Sequence, residues 1–152
     1  LLLDVEGAQW SGKQLDANWA PGDAAGMRNS AVGIADGTYH IYVVAKADGT
    51  QDIYAHTSTT VATVLTALQA ESGGSAYVYA RRIGSIVRKS AALLGFTQRG
   101  NHFEFSIPQL DVATGSPGTS AGTATLATIP VGIVVQADVT RLSLYFSTGA
   151  PM

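Results

Sequence analysis

Cysteine is absent from the 152 residues, which removes disulfides, thiolate metal sites and cysteine nucleophiles. Charge is also scarce. Asp, Glu, Lys and Arg make up 13% of the chain, against about 25% in an ordinary soluble domain. With a slightly positive mean hydropathy, so few charges leave part of the surface poorly suited to water, and contact with other protein is the expected use of it. The net charge of −2 supplies no field to attract nucleic acid or an anionic membrane, so neither is expected as a partner. Apolar runs such as 129–135 are far shorter than the roughly twenty residues that cross a bilayer, and no charged-then-apolar signal segment opens the chain. Membrane insertion is not expected. The size suits a single domain over 1–152. Neither Leu1 nor the closing Gly149-Ala150-Pro151-Met152 is an obvious natural terminus, and the chain is read as a piece of something longer.

Most of what is present reads as strand. Leu1 to Glu6 is a short strand, and residues 7–30, with two Trp, four Gly and one Pro, are loop-rich. Tyr39 to Lys46 and Gln51 to Thr57 are β-branched and aromatic runs joined by Ala47-Asp48-Gly49-Thr50, a hairpin signal because Asp and Gly accept the positive φ of a tight turn. Between Thr60 and Ala70, Val61, Val64, Leu65 and Leu68 recur at helical spacing, with Gly73-Gly74 as a stop. Strand character resumes over Tyr77 to Arg88. Leu93 to Gln98 and Asn101 to Ile107 form a second hairpin about Arg99-Gly100, ended by Pro108. Residues 113–122 are a Gly/Ser/Thr/Pro loop, and further strands are expected over 123–129, 132–139 and 142–147. Short strands at this spacing with one helical piece predict an all-β fold, an antiparallel β-sandwich of jelly-roll kind.

Chemistry-bearing motifs are thin. His40, His56 and His102 invite a metal reading. A turn on Asp48-Gly49, or on the four residues around them, sends His40 and His56 to opposite faces, whereas a three-residue loop reverses that parity. No metal or cofactor is expected. Ser85 lies in Gly84-Ser85-Ile86-Val87, not in the Gly-x-Ser-x-Gly elbow of a hydrolase, and no phosphate-cradling glycine pattern precedes a helix. Asp52, Glu104, Asp111 and Asp138 lie near strands, and a glycosidase would need two of them facing one cleft. Arg81, Arg82, Arg88, Lys89 and Arg99 concentrate the basic charge. Strict alternation puts Arg82 and Arg88 on one strand face with Gly84 and Ile86, and Arg81 and Lys89 on the other with Ile83, Ser85 and Val87. Trp10 and Trp19, in the loop-rich region, are the candidate ligand contacts for a sugar.

The stretch YVYARRIGSIVRKSAALLGFTQRGNHFEF, Tyr77 to Phe105, contains Arg81-Arg82-Ile83-Gly84-Ser85-Ile86, then Gly95-Phe96-Thr97-Gln98, then a Gly-led turn into Phe103 and Phe105. This block resembles one recurrent in bacteriophage and prophage tail-associated proteins. Similarity extends upstream through Gly37 to Val44 and Asp52-Ile53-Tyr54-Ala55, and downstream through Leu110-Asp111-Val112 and Ile129 to Ile133, covering roughly residues 37 to 135. The resemblance implies a non-enzymatic virion module of a tail fibre or tail tip. Its expected partners are itself, as a homo-oligomer of trimeric kind, other virion proteins, and a host surface glycan. Arg81, Arg82, Tyr77 and Tyr79 are the candidate subunit contacts, since guanidinium groups suit pairing with a neighbour's carboxylate. A stand-alone carbohydrate-binding domain, a capsid decoration protein and a polysaccharide-cleaving enzyme stand as alternatives.

Overall fold

A computed structural model of the chain describes residues 9–100, 102–107, 109 and 126–135. These residues are mostly β with one short helix. Six strands form a sheet in the order β1-β2-β4-β3-β5-β6: β1 is Gln14–Asn18, β2 Gly26–Arg28, β3 Gly37–Lys46, β4 Gln51–His56, β5 Tyr77–Lys89 and β6 Ala92–Leu93. A separate two-stranded sheet pairs β7, Phe96–Arg99, with β8, His102–Phe105.

The β3–β4 hairpin forms where the Asp-Gly signal places it. Lys46 N donates to Thr50 O at 2.9 Å and Gly49 N to Lys46 O at 3.1 Å. Gly49 takes φ of 88° and Asp48 Oδ1 accepts from Thr50 N at 2.8 Å. The loop proper is therefore 47–49, the three-residue form, and His40 pairs directly with His56. Both imidazoles thus occupy one sheet face, which decides the parity left open by the sequence.

The sheet is mixed, which corrects the antiparallel expectation. β1 pairs with β2 and β2 with β4 in parallel. A parallel pair ordinarily needs a crossover of about a dozen residues, yet only 19–25 join β1 to β2. Gly26 permits it, because a Cβ there would lie 1.9 Å from Asn18 O. Positive φ at Gly22 (94°) and Ala24 (56°) folds the connection back. The region read as loop-rich therefore supplies two strands: β1 rests on β2, and β2 on β4, which lies far along the chain where no local pattern can register it.

α1, Val61–Gln69, buries Val64 and Leu68 against the sheet. Val61 stays 43% exposed, so the predicted apolar stripe is narrower than its spacing suggests. Trp19, Tyr42, Val44, Tyr54 and Tyr77 complete this core, and a smaller cluster contains Leu15, Tyr39 and Ala55. Residues 126–135 are turns and irregular chain, not the strands expected over 123–129 and 132–139. They pack across the sheet instead, with Thr128 4% exposed and Val131 N donating to Thr38 Oγ1 at 3.0 Å. The strands expected over 1–6 and 142–147, the loop over 113–122 and the stop at Pro108 lie outside the described residues. No helix among the described residues is long and apolar enough to cross a membrane.

Candidate functional site

β5 carries most of the candidate residues, and two irregularities decide how it presents them. Its register with β3 shifts between Ile41 and Tyr42 and again between Ala45 and Lys46. Tyr42 pairs with Arg82 and Ile41 with Gly84, so Ile83 is extra; Ala45 pairs with Tyr79 and Lys46 with Tyr77, so Val78 is extra. An extra residue reverses the facing of every residue after it. Arg82 therefore shares a face with Ser85 and Val87, while Arg81 shares the other with Gly84, Ile86 and Arg88, which corrects the alternation read from sequence.

Of the four candidate subunit contacts, Tyr77 is 1% exposed and belongs to the core, with Lys46 Nζ 5.1 Å from its ring centroid. It is not available to a neighbour. Tyr79 and Arg82 are half-buried and Arg81 is exposed. The bulged residues Val78 and Ile83 are 42% and 49% exposed. β6 pairs only with Arg88 and Lys89, so no described strand lies beside β5 on its outer side from Tyr77 to Ile86. The β7–β8 hairpin reaches this edge through Gln98, whose Oε1 accepts from Ser85 N at 3.1 Å. Arg82, Ile83, Gln98 and Gly100 line a shallow cavity of about 280 Å³. The hairpin brings Phe96, Phe103 and Phe105 together on one half-buried face, with ring centroids of the first two 5.3 Å apart.

Behind β5 lies a buried polar layer that the sequence did not reveal. His40 Nδ1 and Ser85 Oγ are 2.8 Å apart, and Arg82 Nη1 donates to the same hydroxyl at 3.2 Å. A serine beside an imidazole suits nucleophilic catalysis only where substrate can reach it. Here both residues are 1% exposed, so the pair serves the interior. His56 Nδ1 accepts from Ser58 N at 2.8 Å. Burial holds both imidazoles below the usual histidine range, and Arg82 adds to the effect at His40.

Trp19 is 5% exposed, packs edge-on to Tyr54 and Tyr77, and donates Nε1 to Ile53 O at 3.0 Å. It is a core residue and not a sugar platform, a correction to the ligand-contact expectation. Trp10 is half-buried. Asp52, 1% exposed, has Oδ1 2.7 Å from Lys13 Nζ and accepts from the Gly22 and Ile53 amides. Glu104 and His102 are exposed on β8, and Asp111 and Asp138 fall outside the described residues. Among the described residues no three His, Asp or Glu side chains converge as metal ligands do.

Sequence reasoning passed over Lys13, Arg28, Asp36 and Glu71. Arg28 is 7% exposed and donates to Leu15 O, Asn29 O, Val32 O and Asn18 Oδ1. Glu71 Oε1 accepts from Ser30 N at 2.7 Å and Tyr54 Oη at 3.3 Å; burial, with the Glu71 carboxylate adding to it, raises the Tyr54 pKa. The signal in the chain was weak: Asp52 sits at the same strand parity as Tyr54 and His56. Comparison with protein-family models, with curated proteins and with solved structures finds no match.

Proposed function

We propose that this chain is a non-enzymatic virion module of a phage tail fibre or tail tip, a β-sandwich of jelly-roll kind that assembles with itself as a trimer and contributes to host attachment. The observation that carries the reading is the outer side of β5. Arg81 and the bulged Val78 and Ile83 are exposed there with no described strand beside them, and these residues fall within the block that resembles tail proteins. Apolar side chains beside an arginine suit a protein interface. The low overall charge supports the same reading, as does the use of the Ser85–His40 pair and of Asp52 in buried hydrogen bonds. Sedimentation velocity tests it: the reading expects an oligomer at micromolar concentration, and a monomer at high micromolar concentration contradicts it.

A carbohydrate-binding reading retains one observation in its favour, the partly exposed indole of Trp10. Its test is a host-glycan array with Trp10→Ala. Loss of a wild-type signal in that variant supports it, and no binding by the wild type contradicts it.

A further inference from the structure

His40 and His56 face one another across β3 and β4, 1% and 8% exposed. Each anchors a different piece of chain. His56 Nδ1 accepts the Ser58 amide proton, which requires that nitrogen to be unprotonated. The Ser58 carbonyl is held by Tyr42 Oη at 2.8 Å, and its Oγ accepts from Thr60 N, the N-cap of α1. Over His40 lies the segment 128–132, tied down by Val131 N, which donates to Thr38 Oγ1, and by a hydrogen bond between His40 and the Val131 backbone. Its Gly132 is so close that a Cβ would stand 3.1 Å from Thr59 Cγ2 and 3.5 Å from His40 Nε2.

The surroundings offer no ready counter-charge. On β5 the neighbour is the Arg82 guanidinium, which shares Ser85 Oγ with His40. β3 and β4 add the neutral phenols of Tyr42 and Tyr54 to this face, while Arg28 of β2 pairs with Ala55, which lies on the opposite face of β4 from His56. α1 and residues 126–135 contain no charged residue. The two carboxylates of this region are committed elsewhere: Glu71 to Ser30 N and Tyr54 Oη, and Asp52, farther along β4, to Lys13.

We propose that His40 and His56 form an acid-sensitive latch, whose charging below neutral pH frees the Ser58 turn and the 128–132 segment from the sheet. A proton on His56 Nδ1 removes the acceptor of the Ser58 amide, and a proton on His40 adds a cation beside Arg82. The direction of the pKa shifts agrees: burial lowers both imidazoles, and at His40 Arg82 and His56 add to it and together outweigh the hydrogen bond with the Val131 backbone, which works the other way. A histidine held below its ordinary value of 6.5 leaves the open form binding more protons as pH falls beneath that value. The closed form is thus fully favoured above it and loses ground as pH drops toward the folded-state value.

Amide hydrogen exchange on the full chain, with imidazole titration by NMR, tests the latch. Between about pH 7.5 and about pH 5, protection of the Ser58 and Val131 amides, corrected for intrinsic rate, is expected to fall about tenfold or more relative to amides in the middle of β3. In His40→Asn/His56→Asn, where Oδ1 replaces Nδ1 as acceptor without titrating, the fall is expected to vanish. His56→Asn alone is expected to abolish it at Ser58. Unchanged wild-type protection, imidazoles titrating at or above the ordinary value, or an equal fall in the variants would overturn the proposal.

Discussion

The indole N–H of Trp19 donates to the carbonyl of Ile53 at 3.0 Å, so a tryptophan from the glycine-rich N-terminal region is fastened to the middle of β4. Its ring fills the same core as Tyr54 and Tyr77. Trp19→Ala is expected to lower stability by about 3–5 kcal/mol through cavity formation. Trp19→Phe removes the N–H and part of the ring, at a smaller cost, and Trp10→Ala is expected to change little. Urea denaturation followed by circular dichroism ranks the three.

Lys13 and Asp52 make an ion pair with side chains 6% and 1% exposed. Breaking such a pair costs about 3–5 kcal/mol because a buried charge is left behind. Asp52→Ala is expected to show that loss, since it also strands the Gly22 and Ile53 amides. Lys13→Met should cost less, because Asp52 keeps its two backbone donors. Denaturation midpoints with and without added salt check both the order and the weak screening expected of a buried pair.

Gly26→Ala is expected to be among the most damaging single-methyl changes, since its Cβ would lie 1.9 Å from Asn18 O and 2.5 Å from Ala17 O, both backbone atoms. Gly33→Ala meets nothing within 4 Å and serves as the control. Thermal melts of the two variants should separate by several degrees, as a loss of about 1–3 kcal/mol implies.

Asp36 holds the turn after β5, accepting from Ala91 N at 3.0 Å, Ser90 N at 2.6 Å and Arg88 Nη1 at 2.7 Å. The Ala91 amide, with Ser90 and Arg88 behind it, lowers its pKa below 3.8. A carboxylate held low contributes stability above its unfolded value and loses it as pH falls through the folded one. Exchange of the Ser90 and Ala91 amides should therefore stay slow down to that range and quicken below it. In Asp36→Ala it should be fast at every pH.

Ile83, 49% exposed at a bulge of β5, is the residue through which self-association is most directly tested. Ile83→Asp places a charge in the proposed contact without touching the core. Sedimentation velocity is expected to show a smaller species than wild type, with unchanged circular dichroism.

The elements whose partners are neighbours in sequence were legible in the chain: the Asp48-Gly49 hairpin, the helix after Thr60 and the hairpin about Gly100. What depends on distant partners was not. β1 and β2 carry no period of their own and exist because β4 receives β2 in parallel and β2 in turn receives β1. The bulges at Val78 and Ile83 have no compositional mark, yet one inserted residue moves Arg82 to the histidine face and Arg81 to the other. The site suffers likewise: His40 meets Ser85, 45 residues away, only through that shifted register. Trp19 looked available because its surroundings were read as loop, and it is buried because Tyr54 and Tyr77 arrive from other strands.

The most direct test of the central claim is immunogold electron microscopy of purified phage particles, with an antibody raised to this chain. Label confined to tail tips or fibres is the predicted result. Label on the capsid, or particles without label, would contradict it.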